Sequence, residues 1–306
     1  MAVLLLTKPT PPAALAKEIR AIDPSIVCFE RLDDADLAQV DAIQAWRLRE
    51  GLAPTLPKLR LVCSTAAGVE KLLAPDLPED VAIARTVDPR VKLGLAQYVA
   101  LMALRHSREL PLYERQARER DWTRRPVDAA AHRVGILGVG ETGTAIAAAL
   151  SALGFAVHGW STRPRPELPF PTRGADELQA FVADSDILVC ALPLTPATEG
   201  IIDAKLLSWL PQGACLINVA RGEHVVEPDL IEALGSGRLA GAALDVQRNE
   251  PLPPGDPLWG VDRITITPHI AGQASLAVVA SQFVEAYQAM RSGDPIPRQV
   301  DKAKGY

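Results

Sequence analysis

Three residues in the second half of the chain, Arg221, Glu250 and His269, have side chains suited to acid–base work on a substrate that carries a carboxylate. Arg221 stands in "INVARG", Glu250 in "RNEPL" and His269 in "TPHIAG", each in a loop after an apolar run or just beyond one. Histidine titrates near neutrality and can give or take a proton at ordinary pH. A neighbouring carboxylate favours its charged form and fixes its tautomer. An arginine fork holds a substrate carboxylate through two bonds and polarises an adjacent carbonyl. Taken singly, each residue has an ordinary explanation: a solvated ion-pair arginine, a turn at Asn-Glu-Pro, a capping histidine. Their order after a nucleotide motif is what favours a site.

That motif is "VGILGVGETG", which holds Gly138, Gly140 and Gly143 in G-x-G-x-x-G spacing. The spacing alone is weak evidence. Here it follows an apolar strand and opens the alanine-rich helix "TAIAAALSAL", which is the context a dinucleotide site needs. Gly138 allows the tight turn, Gly140 lets a pyrophosphate approach the backbone, and Gly143 lets helix and strand pack closely. The helix N-terminus offers free N–H groups and the positive end of its dipole to the phosphates. A hydride brings two electrons but no proton, so reducing a carbonyl beside a nicotinamide requires a proton donor. His269 suits that task.

The second strand of the nucleotide unit, "GFAV", runs into "HGWSTRPRP". An NAD enzyme places an acid about twenty residues past the third glycine, bonded to the ribose 2′-hydroxyl. Ser161 stands there, 18 residues past Gly143. It brings no charge to repel a phosphate, Thr162 adds a hydroxyl, and Arg163 adds a fork suited to phosphate geometry. Arg165 either lends a second charge or points to solvent. The expectation is NADP(H) in preference to NAD(H), with NAD(H) possible; the alternative is an exposed basic loop with no ligand.

These residues must be positioned by a sheet. "AVLLLT", "IVCF", "LRLVCST" and "VAIART" read as strands, and "AALAKEIRAI" as a helix. Strands alternating with helices predict a parallel sheet with crossover helices. A helical stretch from about Leu93 to Arg120 follows, apolar first and charged later. "HRVGILG", "FAVHGW", "DILVCALPLT", "GACLINVARG", "GAALDV" and "ITITPHIAG" then form a second alternating series. The last long helix runs from about Ala274 to Met290. In an open parallel sheet, the loops at the carboxyl ends of the strands line the ligand crevice. The fold class is therefore α/β.

The 306 residues suit one large domain or two ordinary ones, and 48% hydrophobic residues are enough for a core. A net charge of −5 argues against a nucleic-acid partner, which needs a basic face. Cys28, Cys63, Cys190 and Cys215 are widely spaced without a CxxC pair, so they read as reduced thiols of a cytoplasmic protein, with no zinc or other metal site. The opening "MAVLLLTKPTPP" lacks a basic n-region and reads as a buried first strand rather than a signal peptide. No stretch is apolar enough to span a bilayer.

"INVARG", "RNEPLP", "PLWGVDRITITPHIAG" and "GVGETG" together resemble the D-2-hydroxyacid dehydrogenase family, in order and spacing, over nearly the whole chain. "AWRLREGLAPTLPKLRLVCSTAAGVEKLL", "TVDPRVKLGLAQYV" and the ending "VDKAKGY" resemble its bacterial glyoxylate/hydroxypyruvate reductase branch. The resemblance implies two Rossmann-like domains with parallel sheets: a flavodoxin-like substrate lobe (1–96 and 273–306) and a dinucleotide-binding lobe (97–272). It implies that Arg221 anchors the substrate carboxylate, His269 is the acid/base and Glu250 its partner. It extends the cofactor set from Gly138, Gly140 and Gly143 to Glu141 and Thr142, to Trp160 beside Ser161, Thr162 and Arg163, and to Leu192 and Pro193. Val219, Ala220, Arg221, Asp245, His269 and Gly272 complete that set. The resemblance also implies that the backbone N–H groups of Ala67, Gly68 and Val69 face the substrate carboxylate across the cleft. Trp46 either borders the substrate or is a core aromatic. The family pattern also suggests a homodimer through the nucleotide lobes, using the long helix after Leu93. Leu95, Gln97, Ser275 and Tyr287 depart from the branch's usual methionine, glutamate, threonine and asparagine. None of these removes a catalytic group, though the first two bear on substrate preference.

The leading expectation is an NAD(P)H-dependent reductase of small 2-oxo acids such as glyoxylate or hydroxypyruvate. A dehydrogenase of a bulkier D-2-hydroxy acid or of phosphoglycerate is the alternative within the family. The phosphoglycerate enzymes often carry an extra C-terminal regulatory domain, and this chain ends at Tyr306 without one. A non-catalytic nucleotide-sensing protein is the alternative outside enzymology; the complete Arg–Glu–His set argues for turnover.

Overall fold

The computed structural model describes residues 2–7, 10–126 and 132–302. Met1 and residues 8–9 of the opening run lie outside the described residues, as do residues 303–306 of the ending that resembles the reductase branch. The chain forms two compact units, Met1–Arg90 with Gln273–Tyr306, and Val91–Gly272.

The first unit is a five-stranded parallel sheet made of β1 (Ala2–Leu6), β2 (Val27–Phe29), β3 (Val40–Ala45), β4 (Leu61–Ser64) and β5 (Ala82–Ala84). Its order, β2-β1-β3-β4-β5, is the flavodoxin-like one. Helix α1 (Pro12–Ile22) and the C-terminal helix α8 (Leu276–Ser292) pack with one core, through Leu15, Ile19, Phe283 and Tyr287 against Val3 and Leu5. A second core gathers Leu4, Ile43, Val62, Leu72 and Val300. Strand β3, "VDAIQA", was not expected from the sequence, because Asp41 and Gln44 interrupt its apolar run. Both are buried, and Asp41 accepts a hydrogen bond from the Tyr287 hydroxyl at 3.0 Å. That bond gives the tyrosine at 287 a structural use. Helix α8 starts two residues later than expected because the Ser275 side chain caps it, accepting from Val278 N–H.

The second unit carries seven parallel strands, β6 (Arg133–Leu137), β7 (Ala156–Trp160), β8 (Thr172–Arg173), β9 (Ile187–Cys190), β10 (Ala214–Asn218), β11 (Leu239–Leu244) and β12 (Ile264–Ile266). Their order is β12-β11-β10-β9-β6-β7-β8. The strand order reverses at β6, which pairs with β7 on one side and β9 on the other; that is where an open sheet binds its ligand. The unit's helices are α2 (Val91–Ser107), α3 (Leu110–Glu119), α4 (Glu141–Ala152), α5 (Leu178–Ala183), α6 (Ala204–Trp209) and α7 (Glu227–Gly235). One core holds Val99, Ile136, Ile146, Val189 and Ile217, and another holds Leu137, Phe181, Leu188, Leu216 and Leu230.

The single helix expected over 93–120 is instead two. The chain breaks at Glu109, whose φ of 50° is left-handed, and Pro111 sits in the first turn of α3. Proline fits that turn because the first N–H groups of a helix have no internal partner. Arg105 and Glu114 pair across the bend at 2.5 and 2.7 Å. The first boundary between units falls at Arg90, not at 96, because α2 is continuous and packs Ala96, Tyr98 and Val99 into the second unit's core. Among the described residues no helix is long and apolar enough to cross a membrane. The four cysteines are free and buried.

Candidate active site

The glycine loop joins β6 to α4. Gly138 has φ +94°, and a Cβ there would stand 2.6 Å from the Ala191 carbonyl oxygen. A Cβ at Gly143 would stand 1.9 Å from the Gly138 carbonyl oxygen, so the helix can approach the loop only without one. Gly140 differs: among the described residues beyond its chain neighbours and the backbone of its own helix, no atom lies within 4 Å of its virtual Cβ. It is the N-cap of α4 and provides no side-chain hydrogen bond to the first turn. The first-turn N–H groups therefore keep their demand for an acceptor beside open space, which fits a pyrophosphate. Glu141 and Thr142 occupy that first turn.

At the end of β7, Trp160 is buried and Thr162 and Arg163 are exposed. The Ser161 N–H donates to the Arg173 carbonyl of β8 at 3.2 Å, and its hydroxyl donates to the carbonyl of Arg163. Arg165 pairs with Glu167 in an exposed local ion pair. Among the described residues the Arg163 guanidinium has no hydrogen-bonding or ion-pair partner, and no acid stands at the strand end. The position therefore fits a 2′-phosphate better than a free 2′-hydroxyl.

Arg221 follows β10 and is held by residues the sequence reading did not single out. Asn218 donates through its amide to the Arg221 carbonyl at 2.8 Å and accepts the Ala220 N–H at 3.1 Å. Its signal was a polar residue closing an apolar strand. His224 is fully buried and lies 3.0 Å from the Arg221 carbonyl and 3.3 Å from the Pro193 carbonyl. It thereby ties the Arg221 loop to the loop after β9 that carries Leu192 and Pro193. Gly222 is packed so tightly that a Cβ would stand 1.9 Å from the Gln247 carbonyl carbon. This brings the Arg221 loop onto the loop that leads to Glu250. The guanidinium itself donates to the Ala220 carbonyl at 2.8 Å.

Glu250 and His269, 19 positions apart, are in contact: His269 Nδ1 lies 3.1 and 3.2 Å from the two carboxylate oxygens. An ionised carboxylate only accepts, so beside one Nδ1 carries a proton, and Nε2 is the acceptor nitrogen of the neutral ring. The Gln247 N–H also donates to Glu250, at 3.2 Å. His269 has φ 55°, a left-handed conformation unusual for a side-chain-bearing residue. Asp245, buried at the end of β11, surrounds it: its carbonyl accepts the His269 N–H, and its carboxylate accepts the N–H groups of Ile270 and Ala271, all at 2.8 Å. Val219 and Ala220 are buried beside Arg221, and Gly272 abuts Leu95, whose Cγ would stand 2.9 Å from its virtual Cβ. Strands β10, β11 and β12 are neighbours, so Arg221, Asp245 and His269 share one end of the sheet.

The other expected substrate contacts belong to the first unit. Trp46 follows β3, is half-buried rather than a core aromatic, and has the Lys71 ammonium 5.1 Å from its ring centroid. In the loop after β4, Ala67 is exposed, Gly68 is half-buried and its carbonyl accepts the Ser64 hydroxyl at 2.7 Å, and Val69 packs into the core.

Residues 100–271 match the family model described as D-isomer specific 2-hydroxyacid dehydrogenase, NAD binding domain. The chain is 34% identical to glyoxylate/hydroxypyruvate reductase A of Yersinia enterocolitica, over 89% of each sequence. The structure resembles a D-isomer specific 2-hydroxyacid dehydrogenase of Xanthobacter autotrophicus at 37% identity and a TM-score of 0.90, covering 98% of this chain and 99% of that one. It also resembles an NADPH-dependent glyoxylate/hydroxypyruvate reductase of Sinorhizobium meliloti, solved with NADP and sulfate, at 32% identity and a TM-score of 0.84 over the whole of both chains. With its two parallel sheets and the matched length, the chain belongs to the D-isomer specific 2-hydroxyacid dehydrogenase family.

Proposed function

We propose that this protein reduces small 2-oxo acids, glyoxylate and hydroxypyruvate among them, to 2-hydroxy acids, with NADPH preferred and NADH accepted. The observation that carries the proposal is the His269–Glu250 pair, at the same end of the sheet as the glycine loop. When bound, the dihydronicotinamide supplies the hydride. Nε2 of His269 supplies the proton to the carbonyl oxygen, and Glu250 stabilises the charged ring and fixes its tautomer. Arg221 holds the substrate carboxylate and draws electron density from the adjacent carbonyl. Trp46 and the N–H groups of Ala67, Gly68 and Val69 are further substrate contacts in this reading, on the strength of the family pattern.

The relatives named above support the substrate class. The acid-free end of β7 and Arg163, unpartnered among the described residues, support the cofactor preference. Loss of NADPH absorbance on adding glyoxylate or hydroxypyruvate tests the proposal. Absence of turnover across a panel of 2-oxo acids, with both cofactors, refutes it and favours a nucleotide-sensing role.

The same reading makes the protein a cytoplasmic homodimer. Leu93 and Leu101 on α2 are 56% and 58% exposed, apolar surface that a second copy would cover. Light scattering at micromolar concentration tests this; a monomer mass refutes it.

A further inference from the structure

We propose that Tyr98, on helix α2, is a positioning residue for the reaction: its hydroxyl acts through Thr267 and Asp245 to hold the turn that presents His269. The inference rests on the reading of His269 as the acid/base.

The Tyr98 oxygen lies 2.8 Å from Thr267 Oγ1, and Thr267 Oγ1 lies 2.6 Å from Asp245 Oδ1. A threonine hydroxyl has one proton, and an ionised carboxylate only accepts. Thr267 therefore donates to Asp245, and Tyr98 must donate to Thr267. The chain of bonds has a fixed direction, starting from a buried phenol. Burial, with the nearby Asp245 charge and against the Thr267 hydrogen bond, pushes the Tyr98 hydroxyl up to about 12, so it keeps the proton it donates at any working pH.

Asp245 spends the rest of its capacity on the turn. Its Oδ1 also accepts Ile270 N–H, Oδ2 accepts Ala271 N–H, and its carbonyl accepts His269 N–H. The left-handed backbone of His269, φ 55°, persists only where surrounding bonds over-determine it. Beside the His269 N–H contact with the Thr267 carbonyl at 3.0 Å, the N–H groups of 269–271 all end on Asp245, and Tyr98 fixes the orientation of that carboxylate through Thr267. The tyrosine ring is independently anchored in the unit's core with Ala96, Val99 and Met102. In this reading a helix packed in the unit's core, rather than the strand end alone, sets where Nε2 of His269 stands.

The test uses Tyr98→Phe, which keeps the ring and removes only the donor. In the cofactor-free protein, amide exchange of the peptide spanning 264–272 should quicken about 3- to 10-fold, the range of one lost hydrogen bond. With glyoxylate and NADPH, kcat should fall by a similar factor while the KM for NADPH stays within about twofold. Thr267→Val should act in the same direction, Tyr98→Phe/Thr267→Val should be no worse than Thr267→Val alone, and Thr267→Ser should restore both readouts. Unchanged exchange or unchanged kcat in Tyr98→Phe, or additive losses in the double variant, overturns the inference. His269→Ala separates the two claims: full turnover in that variant refutes the acid/base reading, whereas an inactive His269→Ala beside a wild-type-like Tyr98→Phe refutes only the role of Tyr98.

Discussion

Glu250 meets Nδ1 of His269 with both carboxylate oxygens, at 3.1 and 3.2 Å. The pair is mostly shielded, the side chains being 11% and 23% exposed, so its attraction is less damped by water than a surface pair's. His269→Ala should lower turnover about 10²–10⁴-fold, the usual worth of general acid–base help, with little change in NADPH affinity. Cofactor titration by fluorescence alongside steady-state kinetics checks both halves. A variant within about twofold of wild type would remove His269 from the role.

Arg221 should be needed for substrate more than for nucleotide. Arg221→Lys keeps a positive charge but loses the planar fork, so the substrate's KM should rise and kcat fall. Kinetics with glyoxylate at saturating NADPH measures this. Unchanged constants would place the carboxylate anchor elsewhere.

In the proposed function, cofactor choice lies at the end of β7. Ser161→Asp combined with Arg163→Ala should reverse or erase the preference for NADPH, because the new carboxylate repels a 2′-phosphate and accepts from a 2′-hydroxyl. The measurement is kcat/KM for NADPH and NADH in both proteins. Equal efficiencies in the unmodified enzyme would show that these residues do not read the phosphate.

Acid should weaken the second unit through two half-buried histidines. Burial lowers His158 and His106 to about 4 each, His158 also against the Arg173 charge and His106 against that of His132. His158 rests on Phe181 at 4.8 Å between ring centroids. In the unfolded chain such rings titrate near 6.5. A group depressed in the fold binds fewer protons there than when unfolded, so stability rises with pH across the window. The contribution is complete above pH about 6.5, is lost progressively down to about 4, and is level below that. Thermal melts at pH 7 and pH 5 should differ, and His158→Gln should shrink the difference. An undiminished pH dependence in that variant would assign it to other groups.

The local chemistry of the chain was written in its sequence. Gly138, Gly140 and Gly143 stand between a β-rich apolar run and an alanine-rich helix, and both the motif and its frame are short-range. The apolar runs ending at Asn218, Leu244 and Ile266 are likewise local, which is why the loops carrying Arg221, Glu250 and His269 could be assigned to strand ends. Where an element is not apolar throughout, its signal fades. Strand β3 carries buried Asp41 and Gln44, and Asp41 is met there by Tyr287, 246 positions away. The break at Glu109 did leave a trace in Pro111, but the helix-favouring residues on either side masked it.

Which side chains meet was decided only by the tertiary structure. Nothing local requires a glycine at 222 until the Gln247 backbone arrives against it. The left-handed turn at His269 is held by Asp245, and Asp245 by Thr267 and Tyr98, bonds that span 22 to 169 positions. The periodicity of a sequence reports which face of an element is apolar. A hydrogen bond between distant residues depends on where the sheet sets each strand end, and that position exists only once the cores on its two faces have packed.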